Sequence, residues 1–200
     1  MEKRSSLEPV SDSELIHQLQ KNSLEALGTL YDRHKRMVYR TALAITGDTE
    51  AAADLLQDVF LRLYRFARNI DPQRPLAPWL YRMTANQSYT WLKRHNRWMS
   101  SLEDLAEKLT GSRRLVPAVM VESDDSWQQV RKAILVLPFS QRVVVVLYYI
   151  NDLSLQEIAE ILDIPEGTVK SRLHYGRRAL KERLDLQLGE GFSELRYDVT

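Results

Sequence analysis

Apolar residues recur at intervals of three or four along most of this chain, and this period predicts helices throughout. In the first half the predicted helices cover residues 11–21, 23–46, 49–66 and 79–98. In the second half they cover residues 126–137, 140–150, 154–162 and 165–186. Gly47 followed by Asp48 is typical of one helix ending and the next being capped. The pattern therefore predicts an all-α protein.

The apolar positions of the second and third predicted helices are expected to form much of the first core. In the second helix they are Leu24, Leu27, Leu30, Tyr31, Val38 and Leu43. In the third they are Ala53, Leu56, Val59, Phe60 and Leu63. The run VVVVLYY at residues 143–149 is rich in β-branched residues and resembles a strand. Its length with Gln141 and Arg142, after a Pro-Phe-Ser start, favours a buried helix.

Two stretches without a helical period divide the chain. Residues 69–78 contain three prolines and are predicted to be a loop. Residues 99–125 have the mixed composition of a linker. The predicted organisation is one domain over residues 11–98, a linker over 99–125, a second domain over 126–186 and a tail over 187–200.

The last two predicted helices form a helix-turn-helix pattern. Ser154 is a suitable N-cap, and Glu157 three residues later completes a capping box. Asp163 and Ile164 interrupt the period, and Pro165 suits the first turn of a new helix. The apolar positions are Leu155, Ile158, Ala159 and Leu162 before the break, and Val169, Leu173 and Leu180 after it. The other face of the second helix carries Lys170, Arg172, Arg177, Arg178 and Lys181. This arrangement favours insertion into the DNA major groove, the alternative being a solvated helical hairpin.

Composition and charge narrow the function classes. Apolar residues make up 44% of the chain and charged residues 28%, as in globular proteins. There is no cysteine, no apolar run long enough to cross a bilayer, and no signal peptide at the N-terminus, so a cytoplasmic protein is expected. The net charge is only +1, but residues 82–98 carry four cations and no acid. Together with the basic helix after residue 165, this predicts two nucleic-acid contacts.

No pattern indicates catalysis. The four histidines are scattered, and neither metal-ligand spacing nor a glycine-rich phosphate loop occurs. The adjacent acids Asp124 and Asp125 are expected to be solvated charge. The sequence therefore predicts no enzyme activity, no metal and no cofactor.

Three separated motifs carry a resemblance to a known family. They are DLLQDVFLRLYR at residues 54–65, WLYRMTAN at 79–86, and LP…R at 137–142 followed by LSLQEIAEIL and GTVKSR at 153–172. Their order and spacing over roughly residues 12–186 resemble a group 4, or extracytoplasmic-function (ECF), sigma factor of bacterial RNA polymerase. The resemblance implies two small helical domains, sigma region 2 and the helix-turn-helix of sigma region 4, joined by a flexible linker.

The resemblance also implies partners. Such a protein binds core RNA polymerase and promoter DNA, recognises the −10 element with its first domain and the −35 element with its second, and captures melted −10 DNA. Family members are commonly held inactive by an anti-sigma factor, which is therefore an expected further partner.

The resemblance and the chemistry of the side chains together predict three sets of site residues. At the −10 element, Asn86 is suited to pairing with a base edge and its neighbours to tracking phosphates. This set is Asn86, Tyr89, Thr90, Lys93, Arg94 and Arg97. At the −35 element, base contacts are expected from Lys170, Ser171, His174 and Tyr175, and phosphate contacts from Arg172, Arg177 and Arg178. Tyr175 stands where many family members have arginine, so the −35 sequence is not predictable.

The third set is the polar face of the helix over residues 49–66. The resemblance places this face on the polymerase, and the alternative is an ordinary solvated surface. The residues are Gln57, Asp58, Leu61, Arg62 and Arg65.

Two other functions compete with promoter selection. One is a stand-alone helix-turn-helix repressor or activator that binds duplex DNA as a dimer. The other is an interaction module that binds polymerase without reading DNA. The first has no need of the residue 54–65 helix beside Asn86, and the second has no need of cations on both DNA-facing helices.

Overall fold

A computed structural model describes residues 10–107 and 125–188, with side chains for residues 10–95 and 129–185. The described elements are all helical, as predicted, including the run at residues 143–149. In chain order they are α1 (Asp12–Gln20), α2 (Leu24–Thr46), α3 (Thr49–Phe66), a 3₁₀ turn (Ala67–Asn69), α4 (Leu76–Glu107), α5 (Asp125–Val136), α6 (Phe139–Tyr149), α7 (Leu155–Leu162) and α8 (Glu166–Leu188). We call α1–α4 the N-terminal unit and α5–α8 the C-terminal unit.

Short polar side chains and one glycine set the ends of the first helices. Ser11 forms a capping box with Glu14, and the side chains of Ser23 and Asp48 accept N-cap hydrogen bonds. Gly47 ends α2 in the left-handed region at φ 74°, which a residue with a Cβ adopts only at a cost. These caps explain why the predicted boundaries hold here.

Helix α4 departs from the prediction at both ends. It begins at Leu76 rather than residue 79, because Pro78 falls in the first turn, where its missing N–H removes no helical hydrogen bond. It then continues to Glu107, so the first nine residues of the predicted linker are helical. Helix α8 begins at Glu166, and Pro165 stands just before it with its carbonyl accepting the Thr168 N–H at 2.8 Å.

The N-terminal unit is built on buried side chains from all four of its helices. The main cluster includes Leu15, Ile16, Leu19, Leu30, Val38, Val59, Phe60, Leu63 and Leu80. Two predicted core positions are wrong, since Leu24 is 66% exposed and Ala53 is exposed. On α3, Ala52 and Leu55 are buried instead of Ala53, and they pack against Ala42 of α2.

The C-terminal unit packs α5, α7 and α8 around α6. Every side chain from Val143 to Leu147 is buried, which explains the strand-like composition of this helix. Val169, Leu173 and Leu180 face it from α8, as predicted. Gly176 lets α8 approach closely, because a Cβ at this position would lie 2.8 Å from Val145 Cγ2.

The two units also pack against each other. Ile45 of α2 and Tyr81 and Ala85 of α4 belong to the same buried cluster as the core of the C-terminal unit. In the part of the chain that the structure describes, no helix combines the length and apolarity needed to cross a membrane.

Candidate nucleic-acid interface

The polar face of α4 presents most of the residues predicted to contact the −10 element. Its opposite face is fixed in the core by Leu80, Thr84 and Ser88, which are fully buried. Asn86, Thr90 and Lys93 follow one another at helical spacing and are all exposed, so they form one stripe. Arg94 is exposed about a quarter of a turn to one side of that stripe.

The hydrogen bonds within this stripe leave some groups free and occupy others. The Asn86 side-chain amide has no hydrogen-bond partner among the described residues, so its donor and acceptor both face solvent. Thr90 Oγ1 donates to the Asn86 carbonyl at 3.0 Å, which reduces its availability to a ligand. The side chain of Arg97 lies outside the described residues.

Two residues at the edge of the stripe contact the C-terminal unit. The Tyr89 ring lies 4.9 Å from the Phe139 ring, although Tyr89 remains 49% exposed. Arg82 Nη2 lies 3.1 Å from Asp163 Oδ2, in the turn between α7 and α8. Neither contact was predictable from a local pattern, because the partners are fifty or more residues apart.

Helices α7 and α8 form the predicted helix-turn-helix. Glu157 Oε2 accepts hydrogen bonds from the Ser154 N–H at 2.8 Å and the Ser154 hydroxyl at 2.7 Å, and these bonds hold the pKa of Glu157 below its usual value. Asp163 ends α7 in the left-handed region at φ 55°, which confirms the break. Ile158 and Ile161 are the buried residues of α7, whereas Leu155, Ala159 and Leu162 are half-buried.

The exposed face of α8 carries five of the seven residues predicted to contact the −35 element. They are Lys170, Ser171, His174, Tyr175 and Arg178. Tyr175 is 57% exposed, and its ring lies edge-on to His174 with centroids 5.5 Å apart. Arg172 and Arg177 are half-buried on the flanks of this face. Burial raises the pKa of Tyr149 and the charge of Arg177 opposes it, which places Arg177 beside α6.

Two acidic residues that the prediction omitted pair with cations of α8. Glu166 Oε1 lies 3.1 Å from Lys170 Nζ, and Glu182 Oε1 accepts from Arg178 Nε at 2.8 Å. The second hydrogen bond raises the pKa of Arg178. Both pairs have the i, i+4 spacing that allows contact on a helix, so the sequence carried this signal. A base or phosphate bound by either cation competes with an internal partner.

The predicted polymerase face of α3 is a continuous surface. Gln57, Asp58 and Arg65 are exposed and Leu61 is 52% exposed, while Arg62 is half-buried. Within the described residues, the three charged side chains of this set form no ion pair. Exposed apolar surface among unpaired charges is typical of a protein interface. No group of three potential metal ligands occurs in the described residues.

Comparison with known proteins identifies both halves of the chain. Residues 30–98 match the family described as Sigma-70 region 2, and residues 127–180 match Sigma-70, region 4. The ECF RNA polymerase sigma factor SigW of Bacillus subtilis is 34% identical over 176 residues, which cover 84% of this chain and 94% of SigW. The ECF RNA polymerase sigma factor SigL of Mycobacterium tuberculosis is also 34% identical, over 79% of this chain and 87% of SigL.

Solved structures share the fold at low identity. CnrH, in complex with the cytosolic domain of CnrY, superposes with a TM-score of 0.64 at 22% identity, over 88% of this chain and 97% of CnrH. The sigma factor RpoE of Bartonella quintana, in complex with the anti-sigma factor NepR, gives 0.59 at 22% identity, over 76% of this chain and 92% of RpoE. The chain therefore belongs to the ECF family of RNA polymerase sigma factors, which regulate transcription and are not enzymes.

Proposed function

We propose that this chain binds core RNA polymerase and directs it to promoters by reading a −35 element with α8 and capturing melted −10 DNA on α4. The proposed domains are region 2 over residues 11–98 and region 4 over residues 126–186, with residues 99–125 joining them and 187–200 as a tail. The observation that carries the proposal is the unpartnered Asn86 amide among exposed cations, on a chain that also has a basic helix-turn-helix.

Each helix offers groups suited to its proposed DNA. An unstacked base presents its pairing edge, and an asparagine amide binds such an edge with one donor and one acceptor. Lys93 and Arg94 add positive charge for the backbone beside it. On α8, Lys170 is suited to guanine, while the hydroxyl groups of Ser171 and Tyr175 give further base contacts in the major groove.

The polymerase contact is assigned to the α3 face. Leu61 supplies apolar area, and the unpaired charges of Asp58, Arg62 and Arg65 favour one orientation of a partner helix. Because polymerase and promoters occupy the bacterial cytoplasm, we also place the protein there. An anti-sigma factor is a proposed third partner, and it is supported by the partners bound to RpoE and CnrH in their structures.

Reconstitution with sigma-free core polymerase tests this function. Promoter-specific transcript 5′ ends that depend on the added protein are the expected result. Asn86→Ala is expected to lower permanganate reactivity of −10 thymines at least about tenfold, the effect of losing roughly 1.4 kcal/mol of base binding, while core binding stays unchanged. Gln18→Ala, an exposed amide on α1, is the matched control.

The main alternative is a stand-alone helix-turn-helix regulator, and the same experiment separates the two. Tight binding to duplex DNA without polymerase, together with no specific transcript start, supports the regulator. An equal loss of core binding and DNA opening in Asn86→Ala contradicts the role assigned to this side chain.

A further inference from the structure

The first two turns of α8 hold an ion pair whose role the proposed function leaves open. Glu166 Oε1 lies 3.1 Å from Lys170 Nζ. Glu166 is the first residue of α8, and the N-terminal residues of the second helix of a helix-turn-helix are the ones that contact base edges. The carboxylate therefore lies at the end of the helix that enters the major groove, although the predicted −35 contacts include only the lysine.

The fold itself makes little use of this pair. Both side chains are exposed, Lys170 by 58% and Glu166 by 48%, and exposed ion pairs at i, i+4 spacing contribute little to stability. A structural role remains for Glu166 alone, because a negative charge is favourable in the first turn of a helix. Such a role affects helix stability and is indifferent to the sequence of the DNA.

Gly167, next to the pair, indicates that a ligand approaches this end of α8 closely. A Cβ at this position would meet no atom of the described residues within 4 Å, and the backbone φ of Gly167 is not positive. Neither packing nor backbone conformation therefore requires glycine here, although glycine is unfavourable in a helix. Glycine is also used where a ligand comes near the backbone. Lys170 and Ser171 follow it at helical spacing, so bare backbone lies beside two predicted base-contacting side chains.

Both charged groups keep hydrogen-bonding capacity while the ion pair is formed. An ammonium group has three N–H donors, and a carboxylate has several lone pairs that accept. The pair occupies one donor of Lys170 and one oxygen of Glu166. A base bound by Lys170 therefore competes with Glu166 for only one donor, and the lysine can hold both partners at once.

The pair matches the major-groove edge of a base pair in polarity and in spacing. In a guanine–cytosine pair, the guanine O6 acceptor and the cytosine N4 donor are hydrogen-bonded to each other about 2.9 Å apart. The protein presents a donor and an acceptor 3.1 Å apart. With Lys170 Nζ donating to O6, Glu166 Oε1 is spaced to accept from N4. The four groups then alternate between donor and acceptor, and the bonds to the bases are charge-assisted.

The same geometry ranks the four base pairs, written here with the base on the Lys170 side first. Adenine–thymine and cytosine–guanine place an amino group against the ammonium and a keto oxygen against the carboxylate, so both have reversed polarity. Thymine–adenine has the correct polarity, but the thymine methyl group stands where guanine N7 accepts a second bond from lysine. The expected order is guanine–cytosine first, thymine–adenine second and the two reversed pairs last.

The pair contributes selectivity more than affinity. Its net charge is zero, whereas attraction to DNA phosphates depends on cations. Removal of the carboxylate leaves Lys170 available to any phosphate. Loss of Glu166 is therefore expected to strengthen binding to unfavourable sequences while it weakens the choice among them. Loss of a merely structural Glu166 weakens binding to all sequences alike.

We propose that Glu166 is a specificity-determining residue of the −35 contact, where it reads one base pair jointly with Lys170 and selects guanine–cytosine with guanine on the Lys170 side. The inference rests on the proposed function, because it names the base pair that α8 recognises. A good bidentate contact discriminates by at least about fivefold, so two contacts of matched polarity are expected to favour guanine–cytosine over adenine–thymine at least about tenfold.

A promoter library transcribed by the reconstituted holoenzyme tests this inference. The parent promoter is one at which wild-type protein and core polymerase give a specific transcript start. Its −35 region is randomised, its −10 region is kept, and sequencing of the transcripts gives the base preference at each −35 position. Wild type is expected to show one position with the order given above. At that position Glu166→Gln is expected to reduce the preference for guanine–cytosine over adenine–thymine at least about threefold, because an amide both donates and accepts.

Exchange of the two residues is the sharper variant. Glu166→Lys combined with Lys170→Glu keeps the net charge but puts an acceptor where the donor was. The preferred base pair is expected to change to cytosine–guanine, a reversal that loss of structure does not produce. Glu182→Gln is the matched control, since Glu182 Oε1 accepts from Arg178 Nε at 2.8 Å with the same spacing, about four turns further along α8. It is expected to leave the base preference unchanged at every position.

Four results would overturn the inference. They are a wild-type library without a position that prefers guanine–cytosine in the stated order, unchanged preferences in Glu166→Gln, unchanged preferences in the exchanged variant, and equal relaxation of the same position by Glu182→Gln. If the circular dichroism of the exchanged variant differs from that of wild type, Glu166→Gln decides alone. Absence of specific transcript starts with wild type contradicts the proposed function, and this inference with it. Specific starts accompanied by any of the four results contradict the inference alone.

Discussion

Gly176→Ala tests whether the close approach of α8 to α6 controls the stability of the helix-turn-helix. In a helix, alanine is more favourable than glycine by about 0.8–1.0 kcal/mol. The added Cβ would lie 2.8 Å from Val145 Cγ2 and 3.6 Å from Gln141 Cβ, in a site where Val145 is fully buried. Overpacking of this kind costs about 1–3 kcal/mol. The steric cost exceeds the helix gain, so the variant is expected to be less stable by about 1 kcal/mol.

Gly28→Ala is the matched control. Gly28 is also within a helix, but a Cβ at this position meets no atom within 4 Å. Only the helix preference remains, and this variant is expected to gain about 0.5–1 kcal/mol. Urea denaturation followed by circular dichroism measures both changes, and a change of 1 kcal/mol corresponds to about 2–4 °C in Tm for a chain of this size.

A double-mutant cycle identifies the cause. Removal of the two methyl groups in Val145→Ala relieves the clash, so Gly176→Ala is expected to be stabilising in that background and the coupling energy to be about 2 kcal/mol. Two outcomes refute the reasoning. One is stabilisation by Gly176→Ala alone to the same extent as Gly28→Ala, and the other is additivity of the Val145 and Gly176 substitutions.

Two further predictions concern Glu157 and the α3 face. The pKa of Glu157 is held down by Ser154, so its carboxylate stabilises the fold above the usual glutamate pKa and that contribution disappears as the pH falls through the lowered value. The difference in free energy of unfolding between wild type and Glu157→Gln is thus expected to shrink between about pH 5 and pH 3 in urea titrations, and a constant difference would contradict the cause. Leu61→Asp is expected to weaken core-polymerase binding at least about tenfold in fluorescence titrations without changing the Tm, because it places a charge in the apolar part of the proposed interface. Leu24→Asp, at an exposed leucine on α2, is the control. Equal weakening of core-polymerase binding by both substitutions would contradict the assignment of the α3 face to the polymerase.

Local signals in the sequence were sufficient to predict most of the helices. Ser11, Ser23, Asp48 and Ser154 cap their helices through bonds to residues three positions away. Such contacts depend on the adjacent sequence and not on the fold. The exposed faces of α4 and α8 follow from the same helical period, because core residues on one side leave the other side to solvent.

Features that depend on tertiary contacts were not predictable. The burial of Leu55 in place of Ala53 depends on where Ala42 of α2 meets α3. The bond from Arg142 to the Ile45 carbonyl joins residues 97 positions apart, and no local pattern marks it. The pairing of Lys170 with Glu166 was only partly predictable from the sequence. Their i, i+4 spacing permits the contact, but the surrounding surface decides whether it forms.

The length of α4 has a consequence for the proposed reading of two promoter elements. Its 32 residues form a rod of about 48 Å that carries the Asn86 stripe and ends at Glu107. Seventeen residues separate Glu107 from Asp125, and trans peptides limit their span to about 60 Å. Together, α4 and these seventeen residues limit how far the Asn86 stripe can lie from the start of α5. Under the proposed function, this reach sets an upper limit on the spacer between the two promoter elements, and removing residues between positions 107 and 125 is expected to lower that limit.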